Sequence, residues 1–257
     1  MHFSEAELLN RVAAFIWPLI RIGALFIAAP LFSIHGVPTR VRLVVSVAVT
    51  LVVMPLLPPL PTVEFWSYQA LMITGQQVLI GVLSGFIVQL VFGAVVFAGQ
   101  GIAFSMGLGF AAMVDPQNGQ QVPVVAQFYI ITTTLIFLMV DGHLVLIKMV
   151  LDSFTTLPIA VDSLDKADLW SVIAWSSRLF AGGLLLALPV IASLLLVNIS
   201  FGVATRAAPQ LNIFSVGFPV TLLLGLLLLW ITLPNILDQF NGILLDAYEL
   251  IGQMLRL

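Results

Sequence analysis

The sequence predicts an all-α membrane protein of helical hairpins, with long kinked helices and one glycine-rich central loop. Three observations carry this. Hydrophobic residues make up 61% of the 257 and charged residues only 8%, where soluble domains carry about 25%. The apolar residues fall in runs long enough to cross a bilayer core as helix. Those runs are punctuated by proline, glycine and clustered charge, with no long polar linker or low-complexity tail between them. The chain has no cysteine, which removes disulfides, thiolate metal sites and cysteine nucleophiles together. A net charge of −3 lacks the basic footprint of a nucleic-acid binder.

The elements follow in order. The start, MHFSEAELLNR, is acidic where a signal peptide is basic, so the first apolar segment is expected to stay in the mature protein. That segment, Leu8 to Leu31, contains Arg11, Pro18 and Arg21. A mid-segment charge is costly in lipid, so Arg21 belongs on a packed face. Pro30 to Arg42 reads as a turn-rich link, and Val41 to Leu57 as a second segment stopped by prolines. The run from Phe65 to about Phe104 would reach about 60 Å as one helix, twice a bilayer core. It must bend, split or leave the membrane plane. Within it Gln77, Gly81, Gly85, Gln89 and Gly93 recur every four residues. Such a row suits tight helix packing, with a polar pore lining as the other reading.

Val124 to Val140 is a further segment, and Leu144 to Leu151 is too short to span alone. Asp152 to Asp168 reads as an acidic, solvated loop. Trp170 to Phe201 follows, with Gly182, Gly183 and Pro189 inviting a kink. Asn212 to Leu233 is the last full segment. The tail from Leu237 to Leu255 has the apolar spacing of an amphipathic helix, on a membrane surface or on a partner. Arg40, Arg42 and Arg206 place their links on the cytoplasmic side, and the acidic loops at Glu64 and 162–168 outside. Trp66, Trp170, Trp175 and Trp230 then form an outer aromatic belt. Between Glu64 and Asp162, however, the segments do not add up to an even number of crossings.

Little in the chain could carry chemistry. Asp141, His143 and Lys148 could form a proton relay, but the milder reading is a helix-end turn at the membrane surface. Nucleotide-binding, serine-hydrolase and zinc-protease motifs are absent, and three dispersed histidines make no metal cluster. No catalytic residue, metal or cofactor is expected. A secondary transporter would show internal repeats with matched ionisable residues, and none is visible.

The most informative stretch is Gly99 to Pro123, GQGIAFSMGLGFAAMVDPQNGQQVP. Glycines at 99, 101, 107, 109 and 119 loosen its backbone, and Pro116 and Pro123 bracket a polar turn. Phe104, Met106, Leu108, Phe110, Met113 and Val114 give it large, adaptable apolar groups. It is either an ordinary connector or a movable closure. A second informative string is Asn198 to Pro219, with Arg206, Pro209, Gln210, Asn212, Gly217 and Pro219 set among apolar residues.

This second string, in RAAPQLNIFSVGFP, resembles the FliR family of flagellar type III export-gate components. The likeness extends to Arg21, Ala29-Pro30-Leu31-Phe32, Val37-Pro38 and Arg42. It includes Gly99-Gln100, Gly109-Phe110, Val114-Asp115-Pro116 and Gly142-His143, and so covers essentially the whole chain. The related injectisome T-type subunit looks less like this string. The resemblance implies one copy of this chain in a helical hetero-oligomeric shell with the P and Q export components. About 1–160 would be the P-like half and about 161–257 the Q-like half. It implies a bacterial inner-membrane protein of the flagellar basal body, raised toward the periplasmic side when assembled. Other export-apparatus membrane proteins, membrane lipid and unfolded exported proteins in transit would be its contacts, with no nucleic acid. It also implies a plug at about Phe110 to Gln121, with Phe110, Met113 and Val114 as its sealing groups, Asp115 and Pro116 as further plug and gating residues, and hinges at Gly107, Gly109 and Gly119.

Overall fold

A computed structural model of the chain describes residues 5–32, 37–58, 61, 63, 66–109, 123–207 and 213–257. Among the described residues the regular elements are helices and no strand occurs. They are α1 (Glu5–Ala28), α2 (Thr39–Val53) with a 3₁₀ turn (Met54–Leu56), and α3 (Tyr68–Ser105). After these come α4 (Val124–Met139), α5 (Gly142–Thr156), α6 (Lys166–Trp175), α7 (Ser177–Ala207) and α8 (Ile213–Leu255). Among the described residues five stretches are long and apolar enough to cross a membrane: Arg11–Ala28, Thr39–Leu56, Tyr68–Ser105, Lys166–Ala207 and Val216–Leu255. The pair α4 and α5, bent by 60°, makes a sixth if counted as one broken span.

The segment after Asp141 is longer than its apolar stretch, a 15-residue helix, and with α4 it makes a bent pair that has the form of a broken span or of a re-entrant loop. The bend sits at Asp141, whose φ of 54° is left-handed and which precedes the first residue of α5. Gly142 leaves room there: a Cβ on it would lie 2.6 Å from a Phe137 ring carbon and 2.8 Å from the Tyr248 hydroxyl. Tyr248 donates to the Gly142 carbonyl at 2.8 Å.

Of the three readings open for the run after Phe65, splitting does not occur: α3 is one unbroken 38-residue helix, about 57 Å long, nearly twice a bilayer core. Two expectations are corrected. The last segment and the tail are likewise one helix, the 43-residue α8, which runs through Pro219 and Pro234. Apolar surroundings leave an interrupted helix no better alternative than to continue, so proline does not end it. The acidic loop is only partly solvated. Asp162 and Asp165 face out, while Leu157, Ile159, Ser163 and Leu164 are buried. The Leu164 amide donates to Gln76 Oε1 at 3.2 Å, which ties the loop to α3.

The described chain divides into two compact units. The first comprises Met1–Leu90, Phe137–Ser176 and Leu245–Leu257. Its core joins Ala13, Trp17, Ile22 and Phe26 of α1 to Ala70 and Ile73 of α3 and to Phe154 and Ile159. Helix α6 opens with a capping box between Asp165 and Asp168, which satisfies two otherwise unpaired backbone donors. The C-terminal end of α8 closes with hydrogen bonds donated by the Arg256 amide to the Gln253 carbonyl and by the Leu257 amide to the Gly252 carbonyl. Arg256 is left-handed there, at φ 59°, and its guanidinium lies 3.2 Å from Asp165 and 3.7 Å from Asp168.

The second unit comprises Val91–Ile136 and Ser177–Leu244. Several of its helices approach closely where glycine removes a side chain. Gly99 of α3 faces the backbone of Ala126 of α4. A Cβ on Gly183 of α7 would lie 2.6 Å from the Ala94 carbonyl oxygen, and one on Gly182 2.7 Å from Ile243 of α8. These glycines pack helices; α7 remains helical past them and past Pro189, and the helical break falls earlier, at Ser176. Edge-on ring pairs, Phe92 with Phe240 and Phe97 with Phe180, fill between them.

Candidate functional site

The site begins where α3 stops. Gly107 has φ +83°, a conformation that costs any side-chain-bearing residue about 1–2 kcal/mol. Its amide donates to the Phe104 carbonyl at 3.0 Å, and the Leu108 amide to the Ala103 carbonyl at 3.0 Å. These two bonds make a Schellman cap, which satisfies the last carbonyls of the helix and turns the chain sharply away. Gly107 is therefore required by the backbone, not merely permitted.

Helix α8 grips this cap. The Gly107 face that lacks a Cβ lies against the Phe218 ring, where an added Cβ would be 3.1 Å from Cδ2. One residue back, Met106 is fully buried. Its side chain occupies the notch left by Gly225, where a Cβ would sit 2.6 Å from Met106 Cγ. Phe218 and Gly225 are seven residues apart, two helical turns, so both present one face of α8. On the far side of the loop, the Gly99–Ala126 contact holds the start of α4 beside the end of α3. The two informative strings, far apart in sequence, thus meet at one point. Nothing local in either one signals this.

Replacing Gly107 by alanine is expected to lower the unfolding temperature of the purified chain. The left-handed backbone and the crowding against Phe218 both contribute, together about 2–3 kcal/mol. Adding Phe218→Ala relieves the crowding and restores part of the loss, but not the backbone part. Full restoration would show that the conformation of Gly107 is unimportant.

The other expected site residues fall as follows. Gly109 lies beside the Phe104 ring. Phe110, Met113, Val114, Asp115, Pro116 and Gly119 lie outside the described residues, as do Pro209, Gln210 and Asn212. Gly217 is buried, and Pro219 is exposed within α8. Arg206 is exposed in the last turn of α7, where a cation complements the helix dipole. Asp141 and Lys148 are exposed and His143 half-buried, and among the described residues no ion pair joins them. Nor do any described residues group as three or more metal ligands.

The four-residue row does not stay on one face. Each step of four advances about 400°, so the row turns by about 40° each time. Its first part meets α1. A Cβ on Gly81 would fall on the Arg21 carbonyl oxygen and 2.7 Å from Ala24 Cβ. One on Gly85 would fall 2.7 Å from both Ala28 Cβ and the Ala29 nitrogen. Gln77 is fully buried and Gln89 exposed. By Gly93 the row has turned far enough to meet Leu179 of α7 instead.

Arg21 is the group whose surroundings sequence reasoning could not supply. It is fully buried and is held by neutral groups. Nε donates to Gln77 Oε1 at 2.7 Å, and the terminal nitrogens to Ser153 Oγ at 2.9 Å and the Leu157 carbonyl at 3.1 Å. The guanidinium lies 4.3 Å from the Phe154 ring centre. One planar cation thereby ties α1 to α3 and to the end of α5. Arg21→Ala is expected to destabilise the chain by about 3 kcal/mol, because it leaves three acceptors unpaired and a void. Arg21→Lys should recover only part, since a point cation cannot span the fork. Thermal unfolding in mild detergent reads both, and wild-type melting of Arg21→Ala would remove this role.

Residues 12–247 match the profile described as bacterial export proteins, family 1. The chain belongs to this family. Curated members carry the name flagellar biosynthetic protein FliR. The one from Pectobacterium carotovorum is 39% identical over 253 residues, 98% of this chain and 97% of that protein. The one from Escherichia coli K12 is 36% identical, over 99% of this chain and 97% of its own length. The one from Bacillus subtilis is 28% identical over 98% of each. The export-family match spans both compact units, α1 to α8.

Proposed function

We propose that this chain is a core subunit of the flagellar type III export gate, and that it helps form and plug the conduit for unfolded flagellar proteins. The observation that carries the reading is the extent of the likeness. The export-family match runs from residue 12 to 247, and relatives named as flagellar biosynthetic proteins align over nearly their whole length. The chain sits in the bacterial inner membrane, at the flagellar basal body. It joins the P and Q export components and other membrane proteins of the apparatus, with the P-like half at about 1–160 and the Q-like half at about 161–257. It performs no catalysis; energy comes from elsewhere in the apparatus.

The plug is the loop that leaves Gly107, with Phe110, Met113 and Val114 sealing and Asp115 and Pro116 shaping its turn. A conduit must pass varied polypeptides yet hold back ions. Apolar groups at a constriction do this by dewetting, and methionine and phenylalanine adapt to whatever passes. The capped end of α3, gripped at Met106 and Gly107, gives such a loop a fixed root from which to swing. Loss of the chain from its own cell is expected to abolish filament growth and leave flagellar subunits in the cytoplasm, with re-expression restoring export. Filaments of normal length in its absence would contradict the reading.

A further inference from the structure

We propose that the groove between α1, α2 and α3 in the first unit is a binding site for one anionic phospholipid, with its phosphate at Arg42 and an acyl chain along α1. The groove encloses about 350 Å³. Its wall is apolar along its length, with Gly23 and Ile27 from α1, Leu43 from α2 and Val78 from α3. Ile27, Leu43 and Val78 are exposed along it. Polarity gathers on the α2 side, at Thr39, Arg42 and Ser46. An apolar trough with a cation on one wall is the complement of an amphiphile with an anionic head.

Arg42 supplies that cation. One terminal nitrogen donates to the Val37 carbonyl at 3.1 Å, while its Nε is buried with no hydrogen-bond partner. No acidic residue lines the groove, and among the described residues no ion pair to Arg42 or to the exposed Arg40 occurs. Ser46 and Thr50 spend their hydroxyls on carbonyls of their own helix, so they do not compete for an anion. Both arginines lie in the first turn of α2, on the link that its positive charge assigns to the cytoplasmic face. Basic pockets between membrane helices on that side hold lipid phosphates. Only 11% of the Thr39–Leu56 span is buried, so the groove opens onto an exposed apolar face.

Gly23 gives the proposal a clean probe. A Cβ there meets only Ser46 Oγ, at 3.9 Å, so Gly23→Leu extends into the groove without striking backbone. The complete chain, purified in mild detergent, is titrated with phosphatidylglycerol or phosphatidylcholine and read by native mass spectrometry. Wild type is expected to hold one phosphatidylglycerol in preference to phosphatidylcholine. Arg42→Gln should weaken that adduct about tenfold, and Gly23→Leu should remove it, both with wild-type circular dichroism. Equal affinity in wild type and a folded Arg42→Gln, or equal binding of the two lipids, overturns the proposal. A benzophenone amino acid in place of Ile27 separates lipid from protein in intact cells. Crosslinking to lipid is expected, and crosslinking to another polypeptide instead overturns it.

Discussion

A strain carrying a deletion of Phe110–Asp115 is expected to leak ions and grow slowly while its export gate still assembles. The deletion removes the sealing side chains and leaves the root intact. The Schellman cap uses Phe104, Ala103, Gly107 and Leu108, and the grip on it uses Met106, Phe218 and Gly225. Gly99 and Ala126 also remain in contact. Between Gly109 and Pro123 seven of thirteen residues would remain, with a reach of about 23 Å. That is more than the 8–10 Å typical between packed helix axes, so the hairpin can still close. Membrane conductance and growth, read beside complex yield, check this. An intact barrier with normal complex yield would count against the plug.

Gly81→Leu and Gly85→Leu are expected to abolish the assembled complex. Both glycines meet α1 through backbone atoms, the Arg21 carbonyl and the Ala29 nitrogen, which cannot turn aside as a flexible side chain can. A leucine must push α1 away from α3, at a cost of about 3 kcal/mol or more, roughly a hundredfold in population. It also draws Arg21 away from Gln77, so the two penalties couple. Gly75 is the matched control on the same helix, with nothing within 4 Å of an added Cβ. Gly75→Leu should leave the yield unchanged. Equal yields from all three variants would remove the packing claim.

Much of this architecture was legible from hydropathy, because an apolar run in lipid has little choice but helix. Where the runs end was harder to read. The gap expected between Leu233 and Leu237 is absent, because a helix in apolar surroundings runs on through Pro234, and a helical break that the sequence did not announce falls at Ser176, before α7. The length of α5 was hidden because its apolar stretch is interrupted by Lys148 and Asp152, both exposed. Arg21 announced itself as a charge that had to be packed. Its partners Ser153 and Leu157 lie over 130 residues away and carry no local sign of their role. The meeting of Gly107 with Phe218 is of the same kind: each string was visible, their contact was not. The four-residue glycine row was visible too, but its rotation relative to the helix axis decides which neighbour each glycine serves.

The most direct test of the central claim is the native mass of this chain after gentle extraction, expressed alone and together with the P and Q export components. A single copy inside one large mixed assembly, formed only on co-expression, is the result predicted for an export-gate subunit. A monomer or homodimer of unchanged mass under both conditions would contradict it.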